Sequence, residues 1–284
     1  MQRSELRRLY WDAGQFFQTP HDRRPDYMLD VSVYVDESQH VGAGHVVVSG
    51  FCGVEEQWRA FAPAWKIALG KKRGLHMKEL RWNGRGAEKR VRDWLATLGA
   101  IPHHYGLKPI YGAIETSDYS DILAGESELQ KKLCGYLVCL SVIFACLTTR
   151  LPGHAKIKII CERQRCYESL ARALFESYST MVAKDPRNPF FSGIEFIPKN
   201  YSALTQPADF LSFAMTKFLD QRGTRKDAWC RPIFGGIRPD KIDGRCYDRK
   251  RARWIISSMK RNIKTGHRIG AVEFGAVLRN MGFL

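Results

Sequence analysis

Along residues 29–38, LDVSVYVDES, the apolar Leu29, Val31, Val33 and Val35 alternate with Asp30, Ser32, Tyr34 and Asp36, the period of two expected of a half-buried strand. This strand ends in acid, since Asp36 and Glu37 stand where the alternation runs out, ahead of a Ser-Gln-His stretch that carries no apolar ladder. A turn near 39–43 leads into HVVVSGFCG, an apolar run of strand length after a gap suited to an antiparallel hairpin. Helical spacing then takes over. Trp58, Phe61, Trp65 and Leu69 form one stripe, with Pro63 marking a helix start or kink, and Val91, Trp94, Leu95 and Leu98 form another. Between them Gly74 to Leu80 reads as a loop carrying His76 and Glu79.

Lys108 to Thr116 (KPIYGAIET) supplies a third strand, and Glu126 to Arg150 a long helix with acids in its first turn and Pro152-Gly153 after its end. Ala155 to Glu162 (AKIKIICE) alternates again and also ends in acid. Leu170, Leu174, Phe175, Tyr178 and Val182 mark the next helix, and Gly193 to Pro198 a short fifth strand. Thr205 can cap a helix that holds Pro207 in its first turn and reaches about Gln221. The pattern predicts an α/β domain over 28–221, a five-stranded mixed sheet flanked by helices, with a helical insertion (54–107) after strand two. Residues 1–27 read as an arm packed on or near the domain, and 222–284 as a basic C-terminal extension.

Charge changes the picture more than composition does. With 45 Lys+Arg against 29 Asp+Glu, the chain carries +16 at a sequence pI near 9.6, which favours a polyanionic partner such as nucleic acid or an acidic membrane surface. Between Arg222 and Arg268 there are 15 Lys+Arg against four Asp and no Glu, so +11 of the +16 lies in the extension. There Asp248 can cap a helix with Ala252, Ile255, Ile256, Met259 and Ile263 inward, leaving Arg249, Lys250, Arg253, Lys260 and Arg261 for phosphates. A solvated basic helix is the other use of such a segment. Eight scattered cysteines contain no CxxC pair, so neither a zinc site nor a disulfide framework is indicated, and a reducing cytoplasm is expected. The first residues lack the apolar core of a signal peptide, and the longest apolar run, Leu133 to Leu147, is short for a membrane span. No membrane association is expected.

Three acids stand at special places: Asp36 ending strand one, Glu162 ending strand four and Asp209 in the first turn of the last helix. Each also has a purely structural use, as a turn residue, a solvated strand end or a complement to the helix dipole. If strands one and four are parallel neighbours, Asp36 and Glu162 emerge at the same end of the sheet, and the helix returning from strand five can bring Asp209 beside them. Clustered carboxylates repel, and a divalent cation relieves that repulsion. Oxygen ligands favour Mg²⁺ or Mn²⁺, which can activate water against a phosphodiester. Glu37 is placed for the opposite face unless the chain has already turned. His76 and Glu79 are candidates for contacting the phosphate or moving a proton.

The order of elements resembles the ribonuclease H-like fold. The short motifs resemble the bacterial and phage family called domain of unknown function three-thousand-eight-hundred, through Asp36-Glu37-Ser38-Gln39, His76-Met77-Lys78-Glu79-Leu80, Ile160-Cys161-Glu162 and Gln206-Pro207-Ala208-Asp209. The family has Gly where this chain has Gln39, so the turn after the acids departs from its pattern. The resemblance covers about residues 28–221. It implies a metal-dependent nuclease acting on DNA or RNA, with Asp36, Glu162 and Asp209 holding the metal and Glu37, His76 and Glu79 as further candidates. A catalytically silent nucleic-acid-binding module, or a scaffold on the same fold, is the alternative.

Overall fold

The computed structural model describes residues 28–38, 44–70, 77, 87–117, 124–125, 128–163, 167–198, 203–221 and 242–247. In chain order the elements are β1 (Leu29–Ser38), β2 (His45–Val54), α1 (Glu55–Leu69), α2 (Ala87–His104), β3 (Lys108–Glu115), α3 (Glu128–Arg150), β4 (Ala155–Glu162), α4 (Glu168–Val182), β5 (Phe190–Ile197), α5 (Gln206–Gln221) and β6 (Asp243–Tyr247). The strands form one mixed sheet in the order β5-β4-β1-β2-β3-β6. β1, β2 and β3 are antiparallel in succession, β4 and β5 run parallel to β1, and β6 runs parallel to β3.

Strand alternation sorts the core into two layers. Val31, Val33 and Val35 of β1, with Ile157, Ile159 and Cys161 of β4, face α3 and α4. Tyr34, Val47, Phe51 and Ala113 face α1, α2 and α5. α3 shows no polar face from Cys134 to Leu147 because the sheet and α4 close around it, and each fully buried Leu, Ile or Phe there contributes about 1.5–3 kcal/mol. It approaches β3 so closely that a Cβ on Gly112 would lie 2.2 Å from the carbonyl oxygen of Cys139. On the other face the helices stand over β1 and β2, while Lys156, Lys158 and Glu195, on the β4–β5 half of that face, remain exposed.

β1 covers the stretch 29–38 read from the alternation, with Glu37 and Ser38 still paired with Val48 and Val47 of β2. The structure differs from the sequence expectation in three places. α1 starts at Glu55 and carries Pro63 inside it; burial of Trp58, Phe61, Trp65 and Leu69 outweighs the roughly 3 kcal/mol that an interior proline costs. β5 begins at Phe190, three residues before Gly193, with a register shift opposite Ile157/Lys158 that accommodates the extra residue. A sixth strand, β6, lies within the stretch read as extension and joins the sheet at β3. Among the described residues no helix is long and apolar enough to cross a membrane.

Candidate functional site

β1 and β4 set the site. Their parallel register pairs Tyr34 with Ile160 and Val35 with Cys161, so one step further Asp36 lies beside Glu162. Alternation places both carboxyls on the α5 face of the sheet, where both are buried. Asp36 also pairs across the hairpin with Ser49 of β2.

α5 brings the third acid. Thr205, just before the helix, accepts the N–H groups of Ala208 (3.0 Å) and Asp209 (3.2 Å) at its backbone oxygen. Asp209 therefore stands in the first turn, where the helix dipole favours a negative charge. One turn on, the Ser212 hydroxyl donates to the backbone oxygen of Asp36 (2.7 Å), which commits its proton, so the Ser49 hydroxyl donates to Ser212 Oγ (2.8 Å). Two buried serines thus join helix and strands directly beneath the acids. From α1, Trp65 Nε1–H reaches Gln206 Oε1 (3.2 Å) and holds the start of α5. Asp209 Oδ2 accepts the backbone N–H of buried Met77 (3.2 Å).

The electrostatics follow from this packing. Burial, then the carboxylates of Glu37, Glu162 and Asp209, hold the Asp36 carboxyl well above its ordinary range, while its Oδ1 accepts the Glu37 N–H at 2.8 Å. Glu37 is half-buried at the end of β1, where its side chain hydrogen-bonds that of Asp36 and its charge also helps raise the Tyr136 phenol and the Cys161 thiol. For both of these groups burial is the larger cause, and it pushes Cys161 up to about 12. A thiol so raised is inert at neutral pH. Cys52, Cys134, Cys139, Cys146 and Cys161 are all buried thiols.

Of the residues singled out in the sequence, Asp36, Glu162 and Asp209 come together at one end and on one face of the sheet, and Glu37, next along β1, shares a side-chain hydrogen bond with Asp36. His76 and Glu79 lie outside the described residues, although Met77 between them is tied to Asp209. Arg249, Lys250, Arg253, Lys260 and Arg261 also lie outside the described residues. The sequence reading missed Ser49, Ser212 and the Met77 amide. Each is an ordinary core residue by pattern, and only the crossing of α5 over β1 and β2 gives it a role. Among the described residues no group of three or more His, Cys, Asp or Glu side chains is arranged to hold a metal ion. No family model, curated protein or solved structure matches the chain.

Proposed function

We propose that the chain is a divalent-metal-dependent nuclease on a ribonuclease H-like fold, related to the family called domain of unknown function three-thousand-eight-hundred, which hydrolyses phosphodiester bonds of DNA or RNA. One observation carries this reading: Asp36 and Glu162 end up side by side on adjacent parallel strands, and a separate helix adds Asp209 over them, all three buried. The strand order, with a three-stranded antiparallel meander followed by two strands parallel to β1, supports the fold assignment.

In donor type the three residues fit Mg²⁺ or Mn²⁺, since all offer carboxylate oxygen and the strained ionisation of Asp36 is the state a cation relieves. Such an ion, when bound, supplies Lewis-acid activation of water and of the phosphoryl group. The chain's own contribution is positioning. Ser212 and Ser49 fix the spacing between α5 and β1, the Met77 amide orients the Asp209 carboxylate, and burial keeps bulk water from the carboxylates. His76 and Glu79, flanking Met77, are proposed to meet the phosphate, and the basic extension to grip the backbone away from the acids.

The test is a panel of single- and double-stranded DNA and RNA incubated with the protein in Mg²⁺, Mn²⁺ or chelator. Cleavage that needs metal and vanishes in Asp36→Asn is the expected result. Salt-sensitive binding without cleavage in any condition would make the chain a silent nucleic-acid-binding module, and absence of binding would make it a scaffold.

A further inference from the structure

On the β4–β5 half of the face that carries the acids, Lys156, Lys158, Phe190 and Glu195 are exposed, while Ile160, next to the acids, is buried. Residues paired in register share a face, so Asp30, Lys156 and Phe190 form one row across β1, β4 and β5. Ser32, Lys158 and Gly193 form the next row, and Tyr34, Ile160 and Glu195 the third. The next step is Asp36 and Glu162. Trp58 of α1 marks the border of the covered half, donating its indole N–H to Ser32 O (3.1 Å) and packing edge-on against Tyr34 (4.6 Å between ring centroids).

Two features describe what this shelf would take. Its charges cancel, Lys156 against Asp30 (3.5 Å) and Lys158 against Glu195 (2.6 Å), in exposed pairs that contribute little and leave no excess for a polyanion. Its far end is apolar. Phe190 is 53% exposed, and so, at 52%, is Met28, which alternation places on this face because Leu29 packs into the opposite core. A polypeptide of mixed charge with large apolar side chains is the complement.

The chain supplies one at that spot. The 27 residues before Met28 hold Tyr10, Trp11, Phe16, Phe17 and Tyr27, with five arginines against Glu5, Asp12, Asp22 and Asp26. We propose that residues 1–27 dock on the β4–β5 half of this face, their aromatic side chains covering Met28 and Phe190. The three rows from Asp30 to Asp36 span about 20 Å, and a segment of this length reaches that far even at the helical rise of about 1.5 Å per residue. The inference stands independently of the nuclease reading, since it rests on the shelf and on the point where the arm leaves.

The full-length chain carrying the photo-cross-linker p-benzoylphenylalanine at position 190 tests it. Isotopically light and heavy chains are mixed, irradiated with and without a single-stranded oligonucleotide in chelator, and the adducts mapped by mass spectrometry. An adduct to residues 1–27 of the same chain is expected in the oligonucleotide-free sample. Adducts joining light to heavy chains seat a second copy on the shelf, adducts to the oligonucleotide alone seat nucleic acid there, and either of these, or no adduct, overturns the proposal. A second readout uses the arm's own arginines. Phe190→Asp, at an exposed strand start that the core does not need, should speed tryptic cleavage after Arg7, Arg8 and Arg23 about tenfold, because cleavage tracks the undocked fraction. Equal rates in the two proteins would count equally against it.

Discussion

At Asp36 two demands conflict, since the residue is buried for packing yet surrounded by like charge. Its carboxyl ordinarily titrates near 3.8 and is raised well above that in the folded chain, by burial first and then by Glu37, Glu162 and Asp209. A carboxyl raised on folding keeps its proton in the native state after the unfolded chain has lost it. Its contribution to stability is therefore greatest below about pH 3.8 and declines as the pH rises toward the folded value. Asp36→Asn keeps the shape and an oxygen for the Glu37 N–H, and removes that decline. In chelator its urea midpoint should exceed the wild-type midpoint at pH 7, and the difference should close below about pH 4. In Mg²⁺ the order should reverse, because only the wild type gains stability from binding the ion, and cleavage should be lost in the variant. Beneath it, Ser212→Ala leaves the Asp36 carbonyl and the Ser49 hydroxyl without their buried partner, which costs about 1–3 kcal/mol. Denaturant titration should show that loss, together with a weaker requirement-level affinity for Mg²⁺ than in a surface-serine control. Asp36, Glu162 and Asp209 were legible in the sequence because each stands at the boundary of a periodic segment. Ser212 and Ser49 were not, because a serine in an apolar helix or strand carries no signal until the crossing partner is known.

Elements were legible where their period was strong and their length ordinary. The alternation of β1 and β4 and the stripes of α1 and α4 survive in the fold because each matches one buried face. What escaped were boundaries decided by partners. β5 starts at Phe190, its extra residue Ser192 taken up as an irregularity against β4. β6 spans five residues, DGRCY, inside a basic stretch, and only the free edge of β3 makes it a strand. The contact between α3 and β3 is likewise invisible in the period, yet it sets how tightly that helix lies on the sheet. Gly112→Ala drives a methyl group to 2.2 Å from the Cys139 carbonyl, so the helix must lift or the strand must bend. The expected cost is about 1–3 kcal/mol, read as a lowered thermal midpoint, with metal dependence of any cleavage unchanged because the site lies on the other face.

Across the whole molecule charge is divided between a described domain that holds an acidic site and an extension, 222–284, in which +11 of the net +16 falls between Arg222 and Arg268. The proposed nuclease would need this division, since a cluster of carboxylates repels the phosphates it must approach and a cationic surface elsewhere has to supply the attraction. The exposed lysines of β4 do not serve, as Lys156 and Lys158 are already paired with Asp30 and Glu195. That leaves Arg249, Lys250, Arg253, Lys260 and Arg261, interleaved with Tyr247 and Trp254, as the proposed grip on the backbone, with aromatic rings available to stack on bases. Each phosphate neutralised contributes about 0.7–0.9 to the slope of log affinity against log salt, whatever the base sequence. Replacing Arg249, Lys250 and Arg253 together by Gln should therefore weaken binding of unrelated oligonucleotides alike and flatten that slope by about two to three units. Stabilisation of the protein by Mg²⁺ should stay as in the wild type, because these positions are remote in sequence from the acids and carry none of their ligands. Filter binding across a salt series, beside thermal melts with and without Mg²⁺, separates the two effects. An unchanged slope would take the phosphate contacts away from these three residues and leave the extension's charge to keep the protein soluble.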